Sequence, residues 1–449
     1  TEQLVSRALP LLYLDQVALA AGLAGDPAVK PRVQDAITRV LANQSADGRF
    51  GAWEPGGDDP WLDSFATDFL TRARERGYPV PDAAFDAALT NLQNRAAYTS
   101  PGESHAYALY VLARNGRASI GDLRYLADER LSDLGSPMAK AQVGAALALY
   151  GDPTRADAAL DAAVRDLAAP GKTGWRPDYG TPLRDAAAVL ALAAESGSRG
   201  LDLGALTDQV QDALGRQTYR STQENTWLLL AAGALTRGGA DGRGALRLEV
   251  DADPVDGAYY GSFDGARLAA APVVIRNLGG QPVDAMVTRT GVPLEARPAG
   301  GNGYTLERAY YDLDGRRMQL DGVPQGQRLV AVVTVRADQK RQARLIVDDP
   351  LPAGLEIDNP NLLGSGDLAQ IPGLSLLDAT AHREFRSDRF VAAVERTAED
   401  PLVFQLGYLL RAVSPGVFAQ PPASVEDMYD PAQRAWTGGG TATVLGTVQ

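Results

Sequence analysis

The sequence predicts a multidomain α plus β fold in which an α/α toroid of helical hairpins is followed by β-sandwich domains. Two observations along the chain carry this prediction. Up to about residue 238, alanine and leucine dominate and apolar residues recur three and four positions apart, as in amphipathic helices. From about residue 245, apolar and polar residues alternate and clusters of Gly, Pro and Asp separate the runs, as in strands joined by turns.

The first part contains eleven or twelve predicted helices separated by short Gly, Pro and Asp breaks. Helices with such short connections pack most simply as antiparallel hairpins. Two of the breaks, residues 44–53 and 172–178, are similar Gly/Trp turns, which favours repeated helix pairs whose inner helices line a closed barrel. The approximate spans are 2–22, 28–43, 61–76, 82–95, 103–115, 121–131, 136–150, 155–168, 182–196, 203–215 and 221–236.

The second part contains short runs rich in Val and Tyr that predict a β-sandwich. A second break at residues 297–303 divides it, so the predicted domains are residues 1–238, 239–298 and 299–449. The strand candidates are 245–250, 273–277, 285–290, 304–312, 329–336, 343–347, 379–383, 390–396, 403–413 and 441–444.

Composition excludes several classes of function. The formal net charge of −13 and the lack of a long basic run argue against nucleic acid as a partner, because it requires a concentrated basic face. The absence of cysteine excludes disulfides, thiolate catalysis and Cys-ligated metal sites. Only two histidines are present, His105 and His382, and they lie far apart in the sequence. We therefore expect no metal site and no cofactor.

One acidic cluster leaves an alternative open. Asp58, Asp59 and Asp63 resemble the carboxylates that hold magnesium and diphosphate in all-helical prenyl-transfer enzymes. Asp58 or Asp59 is also a suitable N-cap before Pro60, which is a favoured first-turn residue. The N-cap is the favoured interpretation, and a magnesium-dependent toroid enzyme is the alternative.

The two histidines have different interpretations. His105 lies among small and aliphatic residues of a predicted buried helix, which favours a hydrogen-bonded structural histidine over a catalytic one. His382 has charged neighbours and is expected to be a solvated strand residue.

Several segments together resemble one family. Thr1-Glu2-Gln3-Leu4-Val5 is similar to the continuation of the Cys-x-Glu-Gln thioester motif of the alpha-2-macroglobulin and complement superfamily. The turn at 44–53 and the helix beginning at Trp61 resemble that family's thioester domain, which is an α/α toroid. Further segments resemble the last macroglobulin-like domain of bacterial members: residues 311–315, 348–356, 385–389, 408–416 and 426–431.

This resemblance covers essentially the whole chain and implies an architecture. The toroid would be the thioester domain (1–238), residues 239–298 would be the return half of a CUB-like β domain, and residues 299–449 would be the C-terminal macroglobulin-like sandwich. The implied function is broad-spectrum trapping of peptidases, not an enzyme activity. In the family a bait segment elsewhere is cut, the molecule changes shape, and the attacking peptidase is caged or covalently captured.

The family's site residues have counterparts here. Its Cys sulfur bonds to the side-chain acyl carbon of the motif Gln, which corresponds to Gln3 after Glu2. Bacterial members keep the thioester dry with a Met-Tyr pair that corresponds to Met428 and Tyr429. His105 lies near the position of a histidine that speeds acyl transfer in complement relatives. This chain has no Cys, so Gln3 carries an ordinary carboxamide and no thioester exists in it.

The resemblance also implies a location and partners. Bacterial members act in the periplasm, often anchored to the inner membrane and associated with a peptidoglycan-synthesising enzyme. Target peptidases and a peptidoglycan synthase are therefore the expected partners of the intact protein. Because the chain opens at Thr1 directly in an amphipathic pattern, we interpret it as an internal piece of something longer. A third hypothesis is a scaffolding module of the cell envelope.

Overall fold

The computed structural model forms two compact units. The first holds Thr1–Gln217 and Thr222–Arg289, and the second holds Thr218–Ser221 and Thr290–Gln449. The predicted domain boundary at residues 238 and 239 lies outside the described residues, and both predicted boundaries stay predictions. The structure describes residues 1–20, 25–98, 100–168, 176–198, 200–237, 247–257, 259–280, 283, 285, 287–291, 297–358, 376–377 and 380–446.

Helices make up most of the first unit. Twelve of them are found up to residue 237 within the described residues, in close agreement with the predicted spans. They are α1 (Glu2–Ala8), α2 (Leu11–Ala20), α3 (Val29–Ala42), α4 (Pro60–Glu75), α5 (Asp82–Tyr98), α6 (Glu103–Arg114), α7 (Ile120–Glu129), α8 (Pro137–Leu149), α9 (Pro153–Leu167), α10 (Pro182–Ser196), α11 (Leu203–Gly215) and α12 (Thr222–Arg237).

The helices form a closed ring. α4, α6, α8, α10 and α12 pack in that order, and α1 with α2 joins α12 to α4. These inner helices are rich in alanine, and α4, α6, α8 and α10 are buried on nearly every side. The outer helices α3, α5, α7, α9 and α11 bury only one face each. The predicted α/α toroid is therefore confirmed.

Proline and a capping side chain start several inner helices. Asp59 accepts hydrogen bonds from the first free backbone N–H groups of α4, and Thr181 does so for α10. Pro60 and Pro182 follow these caps at the first helical position, where a missing N–H costs nothing. The N-cap interpretation of Asp59 is confirmed.

The first predicted helix is divided in two. The apolar pattern predicted one helix over residues 2–22, but α1 ends at Ala8 and α2 begins at Leu11. Pro10 lies between them, and its ring and missing N–H are incompatible with a continuous helix interior. The prediction of a single helix is therefore wrong.

A small β segment completes the first unit. Strands β1 (Arg247–Val250), β2 (Asp253–Asp256) and β3 (Ile275–Asn277) form an antiparallel sheet in the order β2-β1-β3, and α13 (Gly265–Ala270) lies between β2 and β3. The strand predicted at 285–290 is wrong, because its described residues, 285 and 287–290, lie in no strand.

The second unit is a β-sandwich, as predicted. One sheet has the order β10-β13-β8-β5-β6, another β11-β12-β9-β15-β16-β4, and a small third one β14-β17-β7. The strands are β4 (Gly300–Asn302), β5 (Tyr304–Tyr311), β6 (Arg317–Met318), β7 (Asp321–Pro324), β8 (Arg328–Ala337), β9 (Ala343–Pro350), β10 (Leu355–Ile357), β11 (His382–Phe385), β12 (Arg389–Arg396), β13 (Val403–Ala412), β14 (Gly416–Gln420), β15 (Ser424–Asp427), β16 (Asp430–Trp436) and β17 (Gly440–Leu445).

The sandwich core joins the two larger sheets. Alternate residues of β9 are buried, as expected for a strand with one face on the core. Among them Asp349 is fully buried and pairs with Arg308 of the opposite sheet at 2.5 Å. The Tyr408 hydroxyl donates to the same carboxylate at 2.6 Å, so the buried charge has several partners.

No helix within the described part of the chain combines the length and the apolar character that a membrane crossing requires.

Candidate functional site

The start of α1 lies in a cradle formed by the turn at residues 44–53. Asn43 donates from Nδ2 to Thr1 Oγ1 at 3.1 Å, and Thr1 Oγ1 donates to the Gly51 carbonyl. A Cβ on Gly51 would lie 1.7 Å from a backbone oxygen, and one on Gly48, whose φ is +86°, would lie 2.1 Å from another. The glycines predicted as turn residues therefore permit a close backbone approach that no other residue allows.

Gln3 extends from this first turn toward α12. Its Nε2 donates to Glu2 Oε2 at 2.7 Å and to Thr222 Oγ1 at 3.1 Å. A carboxylate only accepts hydrogen bonds, so the amide nitrogen and not the amide oxygen must face Glu2. The orientation of the Gln3 carboxamide is therefore fixed by its neighbours.

Glu2 is the centre of this cluster. Only 5% of its surface is exposed, and its Oε1 accepts hydrogen bonds from Ser6 Oγ at 2.5 Å and Gln223 Nε2 at 2.7 Å. Gln223 Nε2 also contacts Ser6 Oγ at 3.0 Å, whereas its own buried Oε1 has no hydrogen-bond partner within the described residues. Gln223 therefore donates to the Glu2 carboxylate through Nε2, while its own Oε1 accepts no hydrogen bond from the described residues.

Further contacts tie the first turns of the inner helices together. Thr226 of α12 donates to the Ser6 carbonyl at 2.7 Å, and Thr181 of α10 donates to Glu224 of α12 at 2.6 Å. Glu2 and Gln3 at the start of α1 also contact Gln223 and Thr222 at the start of α12, so α1, α10 and α12 begin on the same face of the ring. We call this face of the ring the amino end.

The three aspartates proposed as magnesium ligands are already occupied by protein donors. Asp59 caps α4, Asp58 pairs with Arg95 at 2.8 Å, and Asp63 accepts from the Phe50 N–H at 2.7 Å and from Asn91 at 3.0 Å. Burial raises the pKa of Asp63. Within the described residues, no group of three or more His, Asp or Glu residues could hold a metal ion. The magnesium hypothesis is wrong.

A loop before α10 contributes a second buried cluster at the amino end. The Tyr179 hydroxyl donates to Asp59, and its ring lies 5.0 Å from that of Trp61. Asp178 contacts both Arg176 and Arg184. Burial alone would raise the pKa of Asp178, but the two guanidinium groups lower it below its ordinary value. Residues 172–175 of the second predicted Gly/Trp turn lie outside the described residues.

His105 lies in the first turn of α6. It lines a small cleft, of about 10 Å³, together with side chains of α5 and α6 such as Leu92, Arg95 and Ala108. Its surroundings fit the structural interpretation, and its role in acyl transfer stays a prediction. His382 lies on β11 with Nε2 3.3 Å from Glu384 Oε1, partly exposed as expected.

Met428 and Tyr429 form the connection between β15 and β16. The Met428 N–H donates to the Arg344 carbonyl at 2.9 Å, and the Tyr429 N–H donates to Asp427 Oδ1 at 3.1 Å. The Arg344 guanidinium lies 5.8 Å from the Tyr429 ring centroid. The pair therefore lies on a tight hairpin whose backbone is held by hydrogen bonds, and its function as a shield stays a prediction.

The opposite face of the ring, which we call the carboxyl end, contains a buried ion network. Arg72 of α4 pairs with Asp68 at 2.9 Å and with Glu195 of α10 at 2.8 Å, across the ring. Burial alone would lower the pKa of Arg72, but the carboxylates of Asp68 and Glu195 raise it well above the ordinary value. Arg114 of α6 also contacts Glu195, at 3.2 Å, and the hydroxyls of Tyr13 and Tyr110 accept from Arg72.

The sequence did not identify Ser6, Thr222 and Gln223 as site residues. The only signal for Thr222 and Gln223 was the polar run at residues 221–226, which opens a helix that is mainly apolar after it. This run is compatible with an ordinary helix start, so the pattern alone does not distinguish a site.

Comparisons with known proteins agree on one family. Residues 303–432 match the bacterial alpha-2-macroglobulin MG10 domain. The chain is similar to alpha-2-macroglobulin of Escherichia coli K12, at 33% identity over 97% of this chain and 27% of that protein. It is also similar to the crystal structure of native E. coli alpha-2-macroglobulin from domain MG7 to the C-terminus, with 31% identity, a TM-score of 0.84, and coverage of 99% of this chain and 72% of that one.

A third match is the crystal structure of Salmonella alpha-2-macroglobulin reacted with methylamine. It shows 32% identity and a TM-score of 0.84 over 99% of this chain and 30% of that one. These relatives agree with the family predicted from the sequence and not with the magnesium-dependent enzyme or the scaffolding module. The chain spans little more than a quarter of the E. coli protein's length.

Proposed function

Because this chain belongs to the bacterial alpha-2-macroglobulin family, we propose that it is the portion of a peptidase-trapping inhibitor that carries the acyl group of a thioester. The acyl donor would be the side chain of Gln3, joined in the intact protein to a cysteine immediately before Thr1. The activity belongs to the whole protein, of which the chain covers the part from the toroid through the MG10 domain.

The observation that carries this proposal is the fixed orientation of the Gln3 carboxamide. Its nitrogen is bound by Glu2 and Thr222, so the amide cannot rotate freely at the amino end of the ring. A preorganised acyl group of this kind is what an intramolecular acyl transfer requires. The methylamine-reacted Salmonella relative is consistent with an acyl donor in a protein of this fold.

Met428 and Tyr429 would form the shield that keeps water from the thioester. Their hairpin presents a flexible thioether and a large aromatic ring on a backbone fixed by Arg344 and Asp427. Such apolar side chains exclude water without any covalent link, so they are suitable for a removable cover. His105 would assist acyl transfer once the cover has moved.

The remaining parts of the proposal concern the intact protein. It would act in the periplasm, with attachment to the inner membrane, as a stoichiometric inhibitor and not as an enzyme. Its partners would be peptidases, with a peptidoglycan synthase as a neighbour in the cell envelope. These statements are supported by the family membership alone.

The trapping function is tested on a full-length protein that contains this chain. After treatment with trypsin, we expect the captured peptidase to retain activity on a small peptide substrate and to lose activity on a large protein substrate. Unchanged cleavage of the large substrate at excess inhibitor would contradict the proposal.

The shield is tested in the same protein. Replacing Tyr429 by alanine should accelerate reaction with methylamine, whereas Tyr125→Ala, at an exposed tyrosine of α7, should leave the reaction unchanged. Equal rates in the two variants would contradict the assignment. The chain itself, which has no Cys, should not incorporate methylamine, and covalent labelling of Gln3 in it would contradict that expectation.

A further inference from the structure

We propose that Glu2 transfers protons in the reaction that forms the thioester on Gln3, and that Gln223 positions Glu2 for this task. The inference rests on the proposed function, because it concerns how the acyl donor becomes activated. It goes further in assigning the chemistry to a carboxylate and an amide, Glu2 and Gln223, which belong to helices 221 residues apart in sequence.

The contact that carries the inference joins the Glu2 carboxylate to the group that must leave. Glu2 Oε2 lies 2.7 Å from Gln3 Nε2, within the distance over which a proton moves between heavy atoms. Thr222 Oγ1 accepts a second hydrogen bond from the same nitrogen. Both N–H groups of the Gln3 amide are therefore engaged, and its nitrogen is held beside an acid–base group.

The reaction requires such a group for a chemical reason. A thiol attacks the Gln3 carbonyl carbon, a C–S bond forms, the C–N bond breaks and ammonia leaves. An amide nitrogen leaves only when it is protonated, and a thiol attacks only when it has lost its proton. A carboxylate can accept the thiol proton and donate a proton to the nitrogen, so it ends in its starting state. No oxidant, reductant or further reactant is needed.

Glu2 is held in a state suitable for this transfer. Ser6 Oγ and Gln223 Nε2 both donate to Oε1, which leaves Oε2 directed to Gln3. Both donors are neutral side chains, and their hydrogen bonds orient the carboxylate. The buried Oε1 of Gln223 has no hydrogen-bond partner within the described residues, whereas its Nε2 donates to both Glu2 and Ser6.

A purely structural carboxylate at a helix start is the competing explanation, since negative charge is favourable at a helix N-terminus. That explanation predicts a change in stability when Glu2 is replaced, with no specific effect on the chemistry. It does not account for the contact with the amide nitrogen of Gln3, which a capping carboxylate does not need.

The test uses full-length protein with a cysteine immediately before Thr1. Thioester formation is followed after refolding by the loss of free thiol and by the loss of the mass of one ammonia. We expect Glu2→Gln to lower the formation rate by about 10²- to 10⁴-fold and to flatten its pH dependence, with Glu2→Asp partly restoring it. Gln223→Ala should reduce the rate by a smaller factor and retain the pH dependence.

Glu224→Gln is the matched control. It removes a buried carboxylate from the same end of the ring, where Glu224 accepts a hydrogen bond from Thr181. Its formation rate should equal that of the unmodified protein. Circular dichroism of each variant confirms that rates are compared between folded proteins.

The outcomes separate the two proposals. A thioester that forms at the normal rate in Glu2→Gln overturns the inference and leaves the proposed function intact. A slow Glu224→Gln variant would also overturn it, because any buried carboxylate at this end would then have the same effect. If the unmodified protein keeps both its thiol and its ammonia, the proposed function fails and the inference fails with it.

Discussion

The two ends of the helical ring bury polar groups in different ways. At the carboxyl end, Arg72 is enclosed by Asp68 and Glu195, so opposite charges from helices on opposite sides of the ring meet directly. At the amino end, Glu2 is held by hydroxyl and amide donors, and its partner Gln3 is an uncharged carboxamide. The Arg72 network is thus an ionic clamp, whereas Ser6 and Gln223, which donate to Glu2, are neutral. The amino end also contains ion pairs, at Asp178.

The helix dipole explains part of this difference. Parallel inner helices place their N–H groups at one end and their carbonyl groups at the other, so carboxylates are favoured at the amino end and arginines at the carboxyl end. Gln3, the proposed acyl donor, lies at the amino end of the ring. Both ends therefore contribute to stability, and the Glu2–Gln3 pair is found at the amino end.

The largest expected effect is at the carboxyl end. Arg72→Met should lower the free energy of unfolding by about 3–5 kcal/mol, because two carboxylates would lose their buried counter-ion. Urea unfolding followed by circular dichroism measures the change. Arg74→Ala, at a partly exposed residue of the same helix paired with Asp82, should cost less than about 1 kcal/mol. Equal losses would contradict the clamp.

The next effect concerns the cradle at the amino end. Gly48→Ala should cost about 2–5 kcal/mol, because the new Cβ would have an unfavourable positive φ and lie 2.1 Å from the Ala87 oxygen. Gly77 follows α4 at the carboxyl end and has a φ of +80° with open space around it, so Gly77→Ala should cost only about 1–2 kcal/mol. A similar loss of unfolding free energy in both variants would show that the closeness of position 48 to the Ala87 oxygen is unimportant.

A smaller effect should depend on pH. Because the folded-state pKa of Asp178 is lowered, its charge stabilises the fold above the ordinary pKa of 3.8, and this stabilisation is lost as the pH falls through the folded-state pKa. Asp178→Asn should therefore cost about 1.5–3 kcal/mol at neutral pH, with the difference closing in acid. Unfolding at a series of pH values tests this, and a constant difference would contradict it.

The smallest effect involves the cap of α10. Thr181→Ala removes both the N-cap acceptor and the hydrogen bond to Glu224, at a cost of about 0.5–2 kcal/mol. Thr181→Ser keeps the hydroxyl and should preserve stability in the same unfolding measurement. If Thr181→Ser lowered the free energy of unfolding as much as Thr181→Ala, the effect would come from the threonine methyl group and not from the hydroxyl.

Much of the fold could be predicted because its signals are local. The helix spans at 182–196 and 203–215 agree with α10 and α11, since a cap residue and an apolar stripe define both without tertiary context, and a proline also marks the start of α10. The division at Pro10 was missed because the apolar pattern continues through it. Short strands such as β6 and β10 were missed because two or three residues are too few to show an alternation of apolar and polar side chains. Such strands are defined only by their hydrogen bonds to a neighbouring strand.

The site was predictable only in part. Gln3 was identified through the resemblance of its motif, whereas Gln223 depends on closure of the ring, which brings α12 beside α1. Contacts of this sequence separation follow from the tertiary fold and leave no local pattern. The magnesium hypothesis was wrong for a related reason: the donors that occupy Asp63 come from residues 50, 91 and 95, and not from its own neighbours.

The division at Pro10 makes α1 a helix of seven residues. A helix this short is not stable in isolation, so α1 depends on its contacts with the rest of the ring, among them those of Glu2, Ser6 and Thr1 with α12 and the cradle. Hydrogen exchange should therefore find its amides far less protected than those of the neighbouring α4. The segment that holds Gln3 is thus a local folding unit, whose opening free energy is set by residues that lie elsewhere in the chain.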